Sequence, residues 1–302
     1  MSDIKLFHIV NNKVTELEGK SVAVEKSLQS LIETHLDNFL GIKFLATEYS
    51  TGLKHGGRID TLGIDENNCP VIIEYKRATN ENVINQGLYY LDWLLDHKAE
   101  FQLMVMNKYG KNFSESIEWE NSRLICIAGD YTKYDSYAVQ QINRNIELIR
   151  YKKFEDMVLL ELVNATSEEK EKSKSSKKHK TSKTKTTVAD YFEKCSPQLK
   201  DLYQSLDAFI LALGEGIQLK KLERYFAYKK IKTFASLKFQ PQTDTIVVWL
   251  RINPSEIKLE KGFTRDVTKT GHHGIGNLEI RIRNSEELER TKLLIVKSYE
   301  VS

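Results

Sequence analysis

Two carboxylates and one lysine are the residues in this chain whose types and spacing best suit chemistry. Thirteen residues separate Asp60 from Glu74, and Lys76 lies two residues further on. Both segments are rich in apolar residues and predict buried strands, where unpaired charges cost several kcal/mol. One lysine cannot neutralise two carboxylates, but a divalent cation can. The spacing therefore predicts a metal site, and Mg²⁺ is favoured because it takes oxygen ligands, retained waters and phosphate.

The turn between the two segments decides whether these side chains meet. A three-residue loop over 66–68, with Asn68 in the left-handed region, would place Asp60 directly opposite Glu74. Lys76 is two residues from Glu74 and shares its face. A slip of one residue would turn one carboxylate to the other face. The alternative interpretation is an exposed end of an edge strand that carries ordinary surface charges.

The order of these residues resembles a known signature. Gly57-Arg-Ile-Asp60 followed by Ile73-Glu-Tyr-Lys76 is similar to the PD-(D/E)XK nuclease motif, in its RecB-like branch, over about residues 20–130. The Pro-Asp of the family name is replaced by Ile59-Asp60. The predicted helix 82–98 carries Gln86 and Tyr90 one turn apart, as that branch does. The predicted first helix, 24–40, offers Glu33 or Glu25 for a further glutamate of the site.

The resemblance implies metal-dependent hydrolysis of DNA phosphodiesters, with Mg²⁺ as cofactor and Mn²⁺ able to substitute. The implied catalytic residues are Asp60, Glu74, Lys76, Gln86, Glu33 and Tyr90. The implied metal ligands are Asp60, Glu74 and the carbonyl of Tyr75, and Lys76 would assist the attacking water. Candidate phosphate contacts, each of which could equally be a surface charge, are Arg58, Arg77 and His55.

Two other functions fit the same residues. One is a catalytically silent module of nuclease fold that binds nucleic acid or a protein partner. The other is an unrelated metal-dependent hydrolase that acts on a nucleotide. A homodimer is a possible assembly, because double-strand cutting by one site per chain usually needs two subunits. The resemblance also implies a prokaryotic role in defence or repair.

The charge distribution divides the chain. Residues 165–188 carry eight lysines and three glutamates with almost no apolar residue, and the rest of the chain carries 37 basic and 39 acidic residues. Such a segment cannot bury enough surface to fold and predicts a flexible linker. It is either a solvated tether or a polycation that attracts phosphate. The predicted domains are therefore 1–164 and 189–302.

The predicted fold class is α/β or α+β. In the first domain a hairpin turns at Asn11-Asn12, and a restriction-endonuclease-like mixed sheet is flanked by helices. Its further predicted strands are 100–106, 123–128, 147–151 and 157–163, with a helix over 131–143. The second domain is predicted as a smaller α+β unit with a helical region over 188–213 and an antiparallel sheet built from 225–230, 234–240, 245–252 and 277–283. Its final helix is predicted to run from Ser285 as N-cap to about Tyr299.

The second domain gives weaker functional signals. It resembles a small domain at the C-terminus of uncharacterised bacterial proteins, some labelled transport proteins, and is faintly similar to the YjbR-like fold. His272-His273 invites comparison with HNH nucleases, but the later histidine of that motif is missing. We therefore expect a loop role or substrate recognition, in which Arg265 and Asp266 could take part.

Composition excludes several protein classes. The longest apolar run, residues 208–213, has six residues, far below the ~18 needed to cross a bilayer, so no membrane partner is expected. The first residues lack the basic flank and apolar block of a signal peptide. The cysteines are far apart and form no CxxC pair, which favours a reducing, cytoplasmic location.

Overall fold

The chain folds into two units, residues 1–169 and 170–302. The computed structural model describes residues 4–19, 26–52, 56–75, 83–166 and 187–302. The first unit contains a six-stranded mixed sheet flanked by helices, and the second contains its own antiparallel sheet. This architecture confirms the predicted fold class of a mixed-sheet α/β unit followed by a smaller α+β unit.

The first unit begins with an antiparallel hairpin. Its strands are β1 (Leu6–Val10) and β2 (Lys13–Leu17). Asn11 and Asn12 have φ angles of 48° and 65°, so the turn is left-handed, as the two asparagines predict.

The main sheet of the first unit has the order β3-β4-β5-β6-β7-β8. Its strands are β3 (Ile42–Ser50), β4 (Arg58–Asp65), β5 (Pro70–Tyr75), β6 (Arg123–Ala128), β7 (Ile146–Phe154) and β8 (Met157–Ala165). The pairs β5–β6 and β6–β7 are parallel, and the others are antiparallel. The central strands β5 and β6 are buried along their whole length, because helices cover parallel strands on both faces.

Helices complete this unit. They are α1 (Lys26–Thr34), α2 (Leu36–Leu40), α3 (Val83–Asp96), α4 (Lys98–Tyr109), α5 (Lys111–Ser114) and α6 (Lys133–Gln140). The predicted first helix is split at His35, and Gly41 ends it with a φ of 65°. Helix α3 packs on β6 at Gly87, where a Cβ would lie 2.4 Å from Leu124.

Two predictions about these helices were wrong. Residues 100–106 form part of helix α4 and not a strand, because Phe101 and Val105, one turn apart, are the buried positions. The apolar spacing of α3 also predicts a core stripe of Ile84, Leu88, Leu91 and Leu95, but Leu95 and Leu88, which still packs against the core, are only half-buried. The face that the sheet covers is instead Val83, Ile84, Tyr90, Leu91, Trp93 and Leu94.

The second unit has one antiparallel sheet, with the order β13-β14-β12-β11-β10-β9. Its strands are β9 (Gln218–Lys221), β10 (Phe226–Lys229), β11 (Thr233–Gln240), β12 (Thr245–Leu250), β13 (Thr264–Asp266) and β14 (Leu278–Ile282). One face packs against α7 (Val188–Glu193), α8 (Pro197–Leu211) and α9 (Ser285–Glu300). The N-cap of α9 is Asn284, and not the predicted Ser285, since the Asn284 side chain accepts from the Glu287 backbone N–H. Across the described ranges, no helix is long and apolar enough to cross a bilayer.

Candidate metal and phosphodiester site

The β4–β5 hairpin has the register that its turn predicts. Asn68 has a φ of 61°, and the Asp65 and Cys69 backbones close a loop of three residues, with Asp65 N donating to Cys69 O at 2.9 Å. The ladder runs from Ile64 opposite Pro70 to Thr61 opposite Ile73. The next pair in this register is Asp60 and Glu74, so the two carboxylates lie opposite each other.

The two strands separate at this pair. Beyond Thr61 and Ile73, β4 continues to pair with β3, while β5 continues to pair with β6. The side chains replace the missing ladder bonds. Asp60 N donates to Glu74 Oε1 at 3.1 Å, and Tyr75 N donates to Asp60 Oδ2 at 3.0 Å. Each carboxylate is thereby held in the gap between the strands by a backbone N–H of the other strand.

The Glu74 carboxyl is buried beside other negative charge. Only 1% of the surface of Glu74 is exposed. Burial raises its pKa from 4.5 to about 9, and the charges of Asp60 and Glu48 add to this effect, against a smaller lowering by the Asp60 backbone N–H. Two opposed carboxylates, one of them buried, attract a cation, and their hard oxygens suit Mg²⁺.

Glu48 is a third acidic residue, next to Asp60 on the opposite side from Glu74, and these three residues form the acidic row. The sequence analysis did not identify Glu48. The register Thr47–Thr61 and Tyr49–Ile59 places Glu48 opposite Asp60. Glu48 also has a φ of 50°, a conformation that non-glycine residues rarely adopt. Because β3 shifts register between Phe44 and Ala46, the sequence could not align this strand with β4. Strained backbone next to the carboxylate pair is typical of functional sites.

Glu33 anchors the first helix to the same strand. Its Oε1 accepts from Thr61 Oγ1 at 2.5 Å and from Gln29 Nε2 at 3.1 Å. The same Gln29 amide lies 3.3 Å from the carbonyl oxygen of Asp60. Glu33 therefore lies beside the backbone of the site, while Glu25 lies outside the described residues.

Tyr90 and Gln86 lie at the start of β4. The Tyr90 hydroxyl accepts from Arg58 N and from Gln86 Nε2, each at 3.1 Å. Tyr90 is buried and Gln86 is exposed. Tyr90 also fills the space beside Gly57, where a Cβ would lie 2.5 Å from its ring. The pair therefore positions the backbone that leads to Asp60.

We expect Tyr90→Phe to lower the free energy of unfolding by about 1 kcal/mol, because the Arg58 N–H and the Gln86 amide lose their shared acceptor. Urea denaturation measures this change. The matched control is Tyr137→Phe, since Tyr137 is 64% exposed. Equal midpoints for the two variants would show that the Tyr90 hydroxyl bonds do not hold this strand.

Of the three predicted phosphate contacts, the structure describes Arg58. Arg58 Nε lies 2.5 Å from Glu48 Oε2, so this cation is paired within the acidic row. Lys76, Arg77 and His55 lie outside the described residues.

A buried ion-pair network supports the turn of the hairpin. Arg123 Nε lies 3.2 Å from Asp65 Oδ2, and Arg123 Nη1 lies 2.6 Å from Glu147 Oε2. All three side chains are almost fully buried. The other oxygen of Asp65 accepts from Asn67 N and Cys69 N, both at 2.9 Å. One carboxylate thus ties the turn that sets the Asp60–Glu74 register to strand β6.

The donors available for a metal are few. Over the described ranges, no group of three histidine, cysteine, aspartate or glutamate side chains is placed to hold one ion. Of the predicted ligands, the structure brings the carboxylates of Asp60 and Glu74 together. Two carboxylates fit a hydrated Mg²⁺, which commonly keeps several waters and uses one or two protein carboxylates.

The paired histidines lie in a loop of the second unit. The ring nitrogens of His272 contact the carbonyl oxygens of Thr270 and Gly276 at 2.8 and 2.9 Å, so His272 braces its own loop. Arg265 is paired with Glu279 at 2.8 Å, and Asp266 accepts from the Thr268 backbone N–H. The structure therefore gives His272 a loop role, while Arg265 and Asp266 contact Glu279 and Thr268.

Comparisons relate the chain to known proteins. Over 304 residues it is 27% identical to an uncharacterized protein of Haemophilus influenzae, and the match covers 97% of this chain and 98% of that protein. It is also similar to a solved structure described as an EndoMS–dsDNA2 complex, with a TM-score of 0.26 and 19% identity. That match covers 44% of this chain and 47% of the other, so the likeness spans about half the length of the solved chain. Residues 188–302 match the family model described as Domain of unknown function (DUF5655), which is confined to the second unit.

Proposed function

We propose that the first unit hydrolyses DNA phosphodiesters with the help of Mg²⁺. The observation that carries this proposal is the opposed pair Asp60 and Glu74, held in the gap where β4 and β5 separate. A buried carboxylate next to a second one is costly for folding alone. A divalent cation at the pair gives this cost a functional reason.

Each residue has a proposed role. Asp60, Glu74 and the carbonyl of Tyr75 would hold the ion, for which Mn²⁺ can substitute. When bound, the ion polarises a phosphate oxygen and lowers the pKa of a water ligand. Lys76 would orient the attacking water or stabilise developing charge. Tyr90 and Gln86 would keep Arg58 and the start of β4 in place, and Glu33 would hold β4 through Thr61.

Plasmid cleavage in Mg²⁺ tests the proposal. We expect Glu74→Gln and Lys76→Ala each to lower the rate by about 100-fold or more, because the first removes a proposed ligand of the ion and the second removes a group that would stabilise developing charge. Glu115→Gln is the matched control, since Glu115 is 57% exposed in a surface pair. Calorimetric titration should also show Mg²⁺ binding to the native protein that Glu74→Gln loses.

The second candidate is a catalytically silent module that binds nucleic acid or a protein partner. It is favoured by the finding that no three candidate ligand side chains in the described ranges converge on one ion. DNA binding in EDTA without cleavage in Mg²⁺ or Mn²⁺ would establish this function in place of the first. Light scattering of the same samples would show whether the chain forms the homodimer expected for double-strand cutting.

A further inference from the structure

Three basic side chains of the second unit lie on one part of its surface, far along the chain from Asp60 and Glu74. The basic cluster consists of Arg224, next to the start of β10, Lys238 of β11, and His273 of the loop 267–277. Arg224 Nη1 lies 3.5 Å from His273 Nδ1. Lys238 is two residues from Ser236 on β11, so both side chains lie on the same face of the sheet, and Ser236 Oγ accepts from Ile275 N of the loop that carries His273. In keeping with this arrangement, partial burial and the positive charges of Lys238 and Arg224 lower the pKa of His273.

The loop that carries His273 is fixed by the sheet. Ile275 N donates to Ser236 Oγ at 2.9 Å. Gly274 lies against Trp249, where a Cβ would be 2.3 Å from the indole ring, so only glycine fits without movement. The His272 ring stacks on Trp249 with centroids 6.0 Å apart. The packing of its own loop therefore holds His273 beside Arg224.

The basic cluster differs from its surroundings in charge balance. Arg265 and Arg281 both pair with Glu279, at 2.8 and 3.2 Å. On α9, Arg290 pairs with Glu260, and Lys292 pairs with Glu289 at 2.6 Å. Within residues 187–302, by contrast, Arg224 and Lys238 form no ion pair. Like charges held together without a counter-ion raise the local concentration of anions.

We propose that the basic cluster binds a phosphate group, either of a nucleic-acid backbone or of a small phosphate compound. The guanidinium of Arg224 offers a planar fork of donors for two phosphate oxygens, and Lys238 offers a point charge. His273 offers a ring nitrogen that becomes a second donor when it is protonated next to the anion. This site does not depend on the proposed hydrolysis at Asp60 and Glu74.

The test uses the full chain in EDTA, so that cleavage plays no part. Inorganic phosphate is titrated while the His273 ring signal is followed by NMR, and a DNA duplex is titrated by fluorescence anisotropy at several salt concentrations. The variant is Arg224→Gln/Lys238→Gln. The control is Arg290→Gln/Lys292→Gln, which removes the same net charge from side chains that already have carboxylate partners. Circular dichroism checks that both variants fold.

We expect phosphate to shift the His273 signal in a saturable way in the native protein and in the control. A roughly tenfold loss of DNA affinity in the variant, with a salt slope smaller by about 2, identifies a nucleic-acid backbone as the ligand. A saturable shift with unchanged DNA affinity identifies a small phosphate compound. The proposal is overturned if phosphate does not shift the signal, or if the control variant weakens DNA binding as much as the cluster variant does.

Discussion

The metal-free protein is expected to lose about 3–6 kcal/mol of stability as the pH rises from 4.5 to about 9, and Glu74→Gln is expected to abolish that loss. The pKa of Glu74 is raised from 4.5 to about 9 in the folded state, chiefly by burial. Between these values the folded protein keeps a proton that the unfolded chain has released. The contribution of Glu74 to stability is therefore fully present below pH 4.5 and is lost as the pH rises to about 9.

Urea denaturation in EDTA across this range measures the effect. Histidines also titrate there, so the informative quantity is the difference between the native protein and Glu74→Gln, with Glu115→Gln as the exposed control. Mg²⁺ should restore stability to the native protein at the upper end of the range and leave Glu74→Gln unaffected. Parallel stability curves for the native protein and Glu74→Gln would show that Glu74 is ionised in the folded state without metal.

Replacing the buried arginine of the first unit should be nearly as costly. We expect Arg123→Met to lower the free energy of unfolding by about 3–5 kcal/mol, because Asp65 and Glu147 would remain buried without their cation. Although burial opposes the charge of Arg123, the charges of Glu147 and Asp65 outweigh it and raise its pKa. The loss should also loosen the turn, since Asp65 holds the Asn67 and Cys69 backbones.

Two further variants separate charge from packing. Arg123→Met/Glu147→Met should recover part of the stability, because one of the two uncompensated carboxylates is gone. Lys111→Met, at a side chain 76% exposed in a surface pair, should change stability by less than about 0.5 kcal/mol. If the double variant is less stable than Arg123→Met, lost packing is the cause of the defect.

The sequence predicted the carboxylate pair because its determinants are local. The turn residues fix the β4–β5 register, and the alternation of side chains along a strand then places Asp60 and Glu74 together. The segment Gly57-Arg-Ile-Asp60 and the helix with Gln86 and Tyr90 could also be predicted, since each is a short local pattern. Their chemistry stays a prediction, which plasmid cleavage in Mg²⁺ tests.

What the sequence did not predict depends on long-range contacts. Glu48 reaches the acidic row through a bulged strand, and Arg123 finds its partners through a parallel crossover. Part of helix α4 was predicted as a strand because its run of apolar residues is short. Its buried face is defined by Phe101 and Val105, which the structure shows to be the buried positions. The short strands β9 and β13 were missed because three or four residues give no clear period.

The hairpin that holds Asp60 and Glu74 can vary in length at only one of its ends. An insertion of one residue within 66–68 would displace every cross-strand partner and send one carboxylate to the far side of the sheet. Additional residues within 51–57 would leave the β4–β5 partners unchanged, because that connection lies beyond the last pair of the ladder. We therefore expect insertions near Gly52 and Gly56 to preserve the carboxylate pair and insertions at the three-residue turn to destroy it.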